Sequence, residues 1–318
     1  MIIFVTGLTG FVGKVLAKEL VIRSRYTVRG VTRGRVSPFP VNVELSQVND
    51  ITDNIDWRLN LHKVTTVVHL AARVHIMNDL AIDPLAMFRK INVYGTLNLA
   101  RQAAECGVQR FIFLSSVKVN GEFTSHKRFR EEDTPNPQDP YAISKYEAEQ
   151  GLLEISQKTG MEVVIIRPPL VYGPGVKANF LKMMRWVYRG IPLPLGAINN
   201  QRSLIALENL VDLIMLCIEH PAAANQIFLA ADGEDVSAPE LLTKLAFFLE
   251  RSARLIPVPQ KVLEATLNLL GKKDLAIRLC GSLQIDIIKA RNLLGWNPPI
   301  SLDEGLEKTA KWFLQTRT

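Results

Sequence analysis

The sequence predicts an α/β fold: a doubly wound parallel sheet followed by a smaller lobe. Short apolar runs typical of strands alternate with segments of helical periodicity through the first two-thirds of the chain. This alternation is typical of strands that are joined in parallel by helical crossovers. With 318 residues and a hydrophobic content of 47%, the chain can bury a substantial core, as one two-lobed unit or as two close domains.

The composition argues against several other classes of protein. The net charge of +7 is scattered along the chain without an aromatic-studded basic stripe, so we expect no nucleic-acid partner; an anionic small substrate explains the charge equally well. No apolar run reaches the roughly 18 residues of a membrane span, and Lys14 follows the apolar N-terminal stretch instead of preceding it. We therefore expect a soluble cytoplasmic protein without membrane insertion. The widely spaced Cys106, Cys217 and Cys280 predict reduced thiols and no metal site.

The first predicted strand, over residues 2–5, leads through Gly7, Gly10 and Gly13 into a helix over residues 11–20. In this setting Gly7 allows a tight turn, Gly10 lets a pyrophosphate approach the backbone, and Gly13 lets the helix pack closely on the strand. The N–H groups and the dipole at the start of the helix then face the phosphates. The pattern predicts a dinucleotide site of the Rossmann type, and the alternative is a structural turn without a ligand.

The second strand, over residues 26–32, ends where an acid would hold the ribose 2′-hydroxyl of NAD. The chain has Arg33 and Arg35 there, and no acid occurs before Glu44. Because a guanidinium matches the geometry of a phosphate, these arginines favour NADP over NAD. The alternative is that both arginines are exposed loop charges.

The remaining predicted elements continue the alternation. Further strands are predicted over residues 41–44, 66–70, 110–114 and 162–166, with a return to the sheet near residues 226–229. Helices are predicted over residues 52–61, over residues 84–105 with a break at Gly95, from Pro140 onward, and in the tail over residues 286–298 and 302–313.

Tyr141 and Lys145 are four residues apart in the helix that follows Pro140, so they lie on one face, one turn apart. A lysine in that position stabilises the phenolate, and a tyrosine with an ordinary pKa of about 10 can then exchange a proton near neutral pH. This is the general acid and base that chemistry at a carbinol carbon requires. The alternative is a chance spacing on an ordinary helix.

Ser115 and Ser116 follow the fifth predicted strand. The carboxyl edge of a parallel sheet is where ligands bind, so a hydroxyl there can reach a substrate. The alternative is that the serines only cap a turn.

Three features in order, the Thr6–Gly13 glycine motif, Ser115-Ser116 and Tyr141-x-x-x-Lys145, resemble the extended short-chain dehydrogenases/reductases of the NAD-dependent epimerase/dehydratase group. The resemblance runs nearly from end to end. It implies a Rossmann domain over residues 1–168 and a substrate lobe over residues 169–318, with residues 203–230 returning to the sheet. It also implies a homodimer.

The resemblance assigns the site residues. Ser116, Tyr141 and Lys145 would be catalytic, and Ser116 would also bind the substrate together with Asn179, Arg202 and Arg278. The cofactor would be bound by Gly7, Thr9, Gly10, Phe11, Val12, Gly13, Thr32, Arg33, Asp50, Ile51, Leu70, Ala71, Ala72, Asn92, Tyr141, Lys145 and Pro168. Asn92 would support the active-site backbone. Structural alternatives are a helix cap at Asp50, close packing at Ala71 and Ala72, a stiff crossover at Pro168, and ordinary surface arginines.

The group comprises several chemistries that act on nucleotide sugars. Val117 and Lys118 stand where its dehydratases carry an Asp-Glu pair, which disfavours dehydration. The leading hypothesis is an NADP(H)-dependent reductase of a UDP-4-keto-6-deoxy-hexosamine in O-antigen synthesis, acting at C4. The first alternative is a nucleotide-sugar 4-epimerase that retains NAD, and the second is a non-catalytic NADP-sensing protein.

Overall fold

The computed structural model of the chain describes residues 1–23, 25–34, 43–74 and 83–316. Within these ranges, seven strands form a parallel sheet in the order β3-β2-β1-β4-β5-β6-β9, and three form a second sheet in the order β10-β8-β7. The strands are β1 (Ile2–Thr6), β2 (Thr27–Thr32), β3 (Val43–Gln47), β4 (Thr66–His69), β5 (Arg110–Leu114), β6 (Glu162–Arg167), β7 (Leu170–Tyr172), β8 (Arg202–Ala206), β9 (Ile227–Leu229) and β10 (Asp235–Val236).

Helices cover both faces of the large sheet, so the predicted fold class is confirmed. They are α1 (Phe11–Ile22), α2 (Arg58–Leu61), α3 (Pro84–Arg89), α4 (Thr96–Glu105), α5 (Pro140–Thr159), α6 (Ala178–Tyr188), α7 (Leu207–Glu219), α8 (Ala238–Phe248), α9 (Gln260–Leu269), α10 (Lys273–Cys280), α11 (Ile288–Leu294) and α12 (Leu302–Gln315). A π-helical turn, Lys90–Gly95, joins α3 to α4.

The central strands are apolar on both faces because the sheet is covered on both faces. In β1, Ile3 and Val5 are fully buried in a cluster with residues of α1 and α7. Phe4 points to the other face, where its ring lies 5.9 Å from that of Trp57 in a cluster with α4 and α5. A third apolar cluster lies in the C-terminal lobe, between the small sheet, α6, α8 and α12.

The prediction of a helix over residues 52–61 is wrong for most of that segment, since only the short helix α2 (Arg58–Leu61) forms there. The Asn98 Nδ2 and Gln102 Nε2 groups of α4 donate hydrogen bonds to the Ile55 carbonyl oxygen at 2.9 and 2.8 Å. In a helix this carbonyl oxygen would accept a hydrogen bond from the backbone. Here the two side chains donate to it instead, and they hold the segment as a loop.

The break predicted at Gly95 is also wrong, because α3, the π-helical turn and α4 form one continuous helical segment. The absence of a side chain at Gly95 has a packing reason. A Cβ there would lie 2.6 Å from the Ile51 carbonyl oxygen, so the glycine lets the helix approach the loop after β3.

In the part of the chain that the structure describes, no helix is long and apolar enough to cross a membrane. Those same residues contain no group of three or more His, Cys, Asp or Glu side chains that could hold a metal ion.

Candidate active site

The turn between β1 and α1, together with the first turn of α1, leaves no room for a side chain at Gly7 or at Gly13. Gly7 has a left-handed φ of +70°, and a Cβ on it would lie 2.8 Å from the Ala71 backbone nitrogen. A Cβ on Gly13 would lie 2.2 Å from the Gly7 carbonyl oxygen, which accepts a hydrogen bond of 2.9 Å from the Gly10 N–H. Gly7 and Gly10 thus form a tight turn that ends directly at α1, and Gly13 lets the first turn of α1 pack against it.

The start of α1 fits an anionic group. Gly10 precedes the helix without a capping side chain, and the first turn contains no acid. Thr9 is exposed, and Phe11 and Val12 are half-buried beside it. The N–H groups and the positive end of the helix dipole therefore favour a phosphate, and the glycine turn fits a dinucleotide pyrophosphate.

The chain leaving β4 passes beside the glycine turn. The Leu70 N–H donates to the Thr6 carbonyl oxygen at 3.3 Å, and the Ala71 N–H donates to the Thr6 hydroxyl at 3.3 Å. Ala72 continues this path and is half-buried. The structure therefore brings Leu70, Ala71 and Ala72 together with the glycine motif.

The described end of β2, residues 31–34, contains no acid. The Thr32 hydroxyl donates a hydrogen bond of 3.0 Å to the Gly34 carbonyl oxygen, and Arg33 is exposed. Arg35 lies outside the described residues. At the end of β3, the Asp50 carboxylate accepts a hydrogen bond of 2.9 Å from the Ile51 N–H and caps no helix, so the capping alternative for Asp50 is wrong.

The helix α5 has a well-defined first turn, which fixes where Tyr141 and Lys145 lie. Asp139 caps it by accepting the Ala142 N–H at 2.7 Å, and Pro140 occupies the first helical position. The Lys145 ammonium lies 6.0 Å from the centroid of the Tyr141 ring and donates a hydrogen bond of 2.7 Å to the Leu114 carbonyl oxygen.

The pKa values of Tyr141 and Lys145 do not follow the expectation that the lysine lowers the pKa of the tyrosine phenol. Burial lowers the pKa of Lys145 to about 7, against the opposing charge of Glu149. Burial raises the pKa of Tyr141 well above its ordinary value, and the charge of Asp139 raises it further. In the protein without a bound cofactor, burial governs the pKa of the phenol, and the Lys145 ammonium, 6.0 Å from the centroid of the Tyr141 ring, does not offset it.

Ser116 follows β5 at the carboxyl edge of the sheet, and its Oγ accepts the Lys118 N–H at 3.3 Å. The Val117 N–H donates a hydrogen bond of 2.9 Å to the Pro168 carbonyl oxygen at the end of β6. Lys118 forms ion pairs with Asp139 and, at 3.0 Å, with Glu122. The segment around Ser116 is thereby attached both to Pro168 and to the start of α5.

Asn92 lies in the π-helical turn and is fully buried. Its Oδ1 accepts the Arg73 N–H at 2.8 Å, and its Nδ2 donates to the Arg73 carbonyl oxygen at 3.1 Å and to the Ser144 hydroxyl at 3.0 Å. Ser144 in turn donates to the Tyr141 carbonyl oxygen at 2.7 Å. Asn92 therefore joins the chain after β4 to the first turn of α5.

The structure brings Arg202 and Arg278 together. The Arg202 Nη1 donates to the carbonyl oxygens of Arg278 and Gly281 at 3.2 and 2.9 Å. Burial lowers the pKa of Arg202, and the charge of Arg278 lowers it further. The two positive charges together suit a doubly charged anion such as a diphosphate. Asn179 lies exposed in the first turn of α6.

The sequence-based site omitted a buried polar cluster below α5, formed by Ser115, Glu149, Arg167 and Asn120. One signal was available. Glu149 follows Lys145 by four residues and so lies on the face that already carries Tyr141 and Lys145. An acid on an inward helical face indicates a buried partner, although the spacing does not say which residue that is.

Known proteins resemble the chain in sequence and in fold. The model of the NAD dependent epimerase/dehydratase family matches residues 3–231. The UDP-glucose 4-epimerase of Vibrio cholerae is 49% identical over 315 residues, which cover 98% of this chain and 95% of that relative. The GDP-6-deoxy-D-mannose reductase of Pseudomonas aeruginosa is 26% identical over 314 residues, covering 96% of this chain and 94% of that relative.

A solved structure agrees with the fold. The crystal structure of UDP-glucose 4-epimerase with UDP-glucose from Thermotoga maritima matches with a TM-score of 0.79 over 100% of both chains, at 25% identity. The family model covers most of the chain, and the Vibrio cholerae relative covers nearly all of it. This protein is therefore an enzyme of the NAD dependent epimerase/dehydratase family.

Proposed function

We propose that this protein is a nucleotide-sugar 4-epimerase that uses NAD. The observation that carries the proposal is the 49% identity, over 98% of the chain, with a protein named UDP-glucose 4-epimerase. The sequence alone favoured a reductase over an epimerase, and this relative supports the epimerase better. UDP-glucose is consequently the first substrate to test.

The reaction inverts C4 by removing hydrogen and returning it to the other face. In this proposal Tyr141 accepts the proton of the O4 hydroxyl and later returns it, while the Ser116 hydroxyl donates a hydrogen bond to O4. Lys145 stabilises the phenolate form of Tyr141, which accepts the O4 proton and forms again when that proton returns to O4. The nicotinamide group, held by the residues around the glycine turn, supplies the hydride exchange at C4.

Arg202 and Arg278 are proposed to hold the diphosphate of the substrate, because the Arg202 guanidinium contacts the Arg278 backbone and the two positive charges act on each other. Asn179 is a third proposed contact. These residues belong to the C-terminal part of the chain, whereas the proposed hydride chemistry involves residues of β5 and α5. The proposal therefore assigns recognition and chemistry to different parts of the molecule.

A second candidate is a 4-ketoreductase that uses NADPH. It is favoured by the exposed Arg33 and the lack of an acid at the described end of β2, since an arginine can pair with a 2′-phosphate. A reductase at 26% identity also spans the chain. The UDP-4-keto-6-deoxy-hexosamine substrate, the O-antigen pathway and the homodimer stay predictions.

The test supplies purified protein with UDP-glucose or UDP-galactose and a catalytic amount of NAD. The epimerase hypothesis predicts that either sugar is converted to the same equilibrium mixture, as followed by NMR of the sugar ring. It is contradicted if neither sugar changes while a 4-keto-6-deoxy nucleotide sugar consumes NADPH. Tyr141→Phe serves as the inactive control.

A further inference from the structure

Glu149 and Arg167 form an ion pair that is almost completely removed from water. Their side chains are 0% and 2% exposed. The Arg167 Nε and Nη2 donate to the two carboxylate oxygens of Glu149 at 3.0 and 2.6 Å, and its Nη1 donates to the Asn120 Oδ1 at 3.0 Å. Ser115 donates a further hydrogen bond to Glu149. Each partner of the pair is thus bound in several directions, which a buried ion pair requires.

The residues of this pair are neighbours of the proposed reacting groups. Arg167 directly precedes Pro168, Ser115 directly precedes Ser116, and Glu149 lies one turn after Lys145 on α5. A backbone hydrogen bond also joins the end of β5 to β6, since the Ser115 N–H donates to the Ile166 carbonyl oxygen at 2.8 Å. The ion pair therefore joins the ends of β5 and β6 to the face of α5 that carries Lys145.

Among the described residues, Glu149 supplies the negative charge that acts on Lys145. From β4 it faces His69, whose pKa burial lowers to about 3, with Lys145 itself contributing, so this ring is neutral. From β5 it faces the Phe113 ring, with its ammonium 4.3 Å from the centroid, and the Leu114 carbonyl oxygen. From its own helix it faces Tyr141 and Glu149. Glu149 is the carboxylate that opposes the effect of burial on Lys145.

We propose that Glu149 and Arg167 are positioning residues: their ion pair fixes α5 against the ends of β5 and β6, and the Glu149 carboxylate, one helical turn after Lys145, stabilises the Lys145 ammonium. The expected effect on kcat rests on the proposed function, whereas the expected effect on the pKa of Lys145 does not. Arg167 donates two hydrogen bonds to the Glu149 carboxylate in this buried site. The charge of Glu149 in turn raises the pKa of Lys145 against the effect of burial.

The electrostatic part can be tested without substrate or cofactor. NMR titration of isotope-labelled lysine side chains follows Lys145, whose signal is assigned by its loss in Lys145→Arg. Glu149→Gln should shift the titration of Lys145 to lower pH by about one unit, because it removes the nearby negative charge. An unshifted titration would overturn the proposal whatever reaction the protein catalyses.

The chain offers a matched control. Arg110 and Glu162 pair at 2.7 Å between the same two strands, β5 and β6, but at their opposite ends. Glu162→Gln should leave the titration of Lys145 and the pH profile of kcat unchanged. If Glu162→Gln shifts both as much as Glu149→Gln does, the effect is a general response to loosened strands and the proposal is wrong.

Glu149→Gln leaves Arg167 buried and without its carboxylate, so it can impair folding. The double substitution Glu149→Leu with Arg167→Met removes both charges and replaces the ion pair with an apolar contact. We expect it to unfold at a temperature near that of the parent, and yet to show a lowered titration of Lys145 and a kcat at least tenfold lower at nearly unchanged KM. A double variant with the parent's titration and kcat would mean that the pair only supports packing, and would refute the inference.

Discussion

Lys145 donates a hydrogen bond of 2.7 Å to the Leu114 carbonyl oxygen, so the ammonium of α5 is bound to the last residue of β5. Ser116 follows Leu114 by two residues, and Tyr141 precedes Lys145 by one helical turn. Tyr141 and Lys145 therefore lie on α5, Ser116 lies just after β5, and Lys145 connects the two elements.

Tyr141→Phe should reduce kcat by about 10²–10⁴-fold, the usual contribution of a general acid and base. The substitution removes the hydroxyl and little volume, so the melting temperature and cofactor binding should change little. Steady-state kinetics and thermal unfolding check this expectation. Tyr146→Phe, on the same helix, is the control and should keep its activity; a Tyr141→Phe enzyme with half the parental kcat would contradict the assignment.

Lys145→Met should change stability in a pH-dependent manner. The Lys145 pKa is about 7 in the folded protein and 10.5 ordinarily, so between these values the unfolded chain binds more protons. This group therefore makes the parent's free energy of unfolding rise with pH across that window. Since Met does not titrate, the stability of the variant relative to the parent should be highest at pH 7 and below, and should fall as the pH rises towards 10.5.

Chemical denaturation at several pH values measures this difference. Lys158→Met is the control, because Lys158 lies on the same helix with its side chain 76% exposed. It should show no such trend. A Lys145→Met difference that is constant with pH would show that Lys145 is not held with a lowered pKa.

The sequence predicted well those features that depend on local patterns. The strand, glycine turn and helix at residues 2–22 follow from periodicity and from the need for small residues at Gly7 and Gly13. The helix over residues 52–61 failed because its backbone is satisfied by Asn98 and Gln102, which lie far away in the sequence.

The site shows the same division. The spacing of Tyr141 and Lys145 predicts their shared face, but it does not reveal how far burial raises the pKa of the phenol. The partnership of Glu149 with Arg167 depends on β6 lying beside β5, which is a tertiary contact. The reaction type was least accessible, because reductase and epimerase would use the same serine, tyrosine and lysine.

Arg33→Asp should lower the affinity for NADP relative to NAD by about tenfold, which corresponds to about 1.4 kcal/mol. The acid would repel a 2′-phosphate and could accept a hydrogen bond from a 2′-hydroxyl. Fluorescence titration with both dinucleotides measures the ratio. Arg25→Asp, near the opposite end of β2 and 58% exposed, should leave it unchanged. An unaltered ratio in Arg33→Asp would remove Arg33 from the cofactor site.

Arg202→Met should raise KM for the nucleotide sugar by at least about tenfold while kcat changes much less, since a charged hydrogen bond to a diphosphate contributes to binding throughout the reaction. Arg189→Met, at an exposed position after α6, is the control. If Arg202→Met lowers kcat and leaves KM at the parental value, Arg202 does not bind the substrate.

The central claim is inversion at C4 by hydride removal and return, and deuterium at C4 tests it most directly. Purified protein is incubated with UDP-glucose deuterated at C4, and NMR and mass spectrometry follow the sugar while absorbance follows the cofactor. The account predicts UDP-galactose that retains the deuterium, with no net formation or consumption of NADH. Loss of the deuterium to water would contradict hydride return, and an unchanged sugar, in protein that reduces a 4-keto sugar with one NADPH per turnover, would contradict the epimerase assignment.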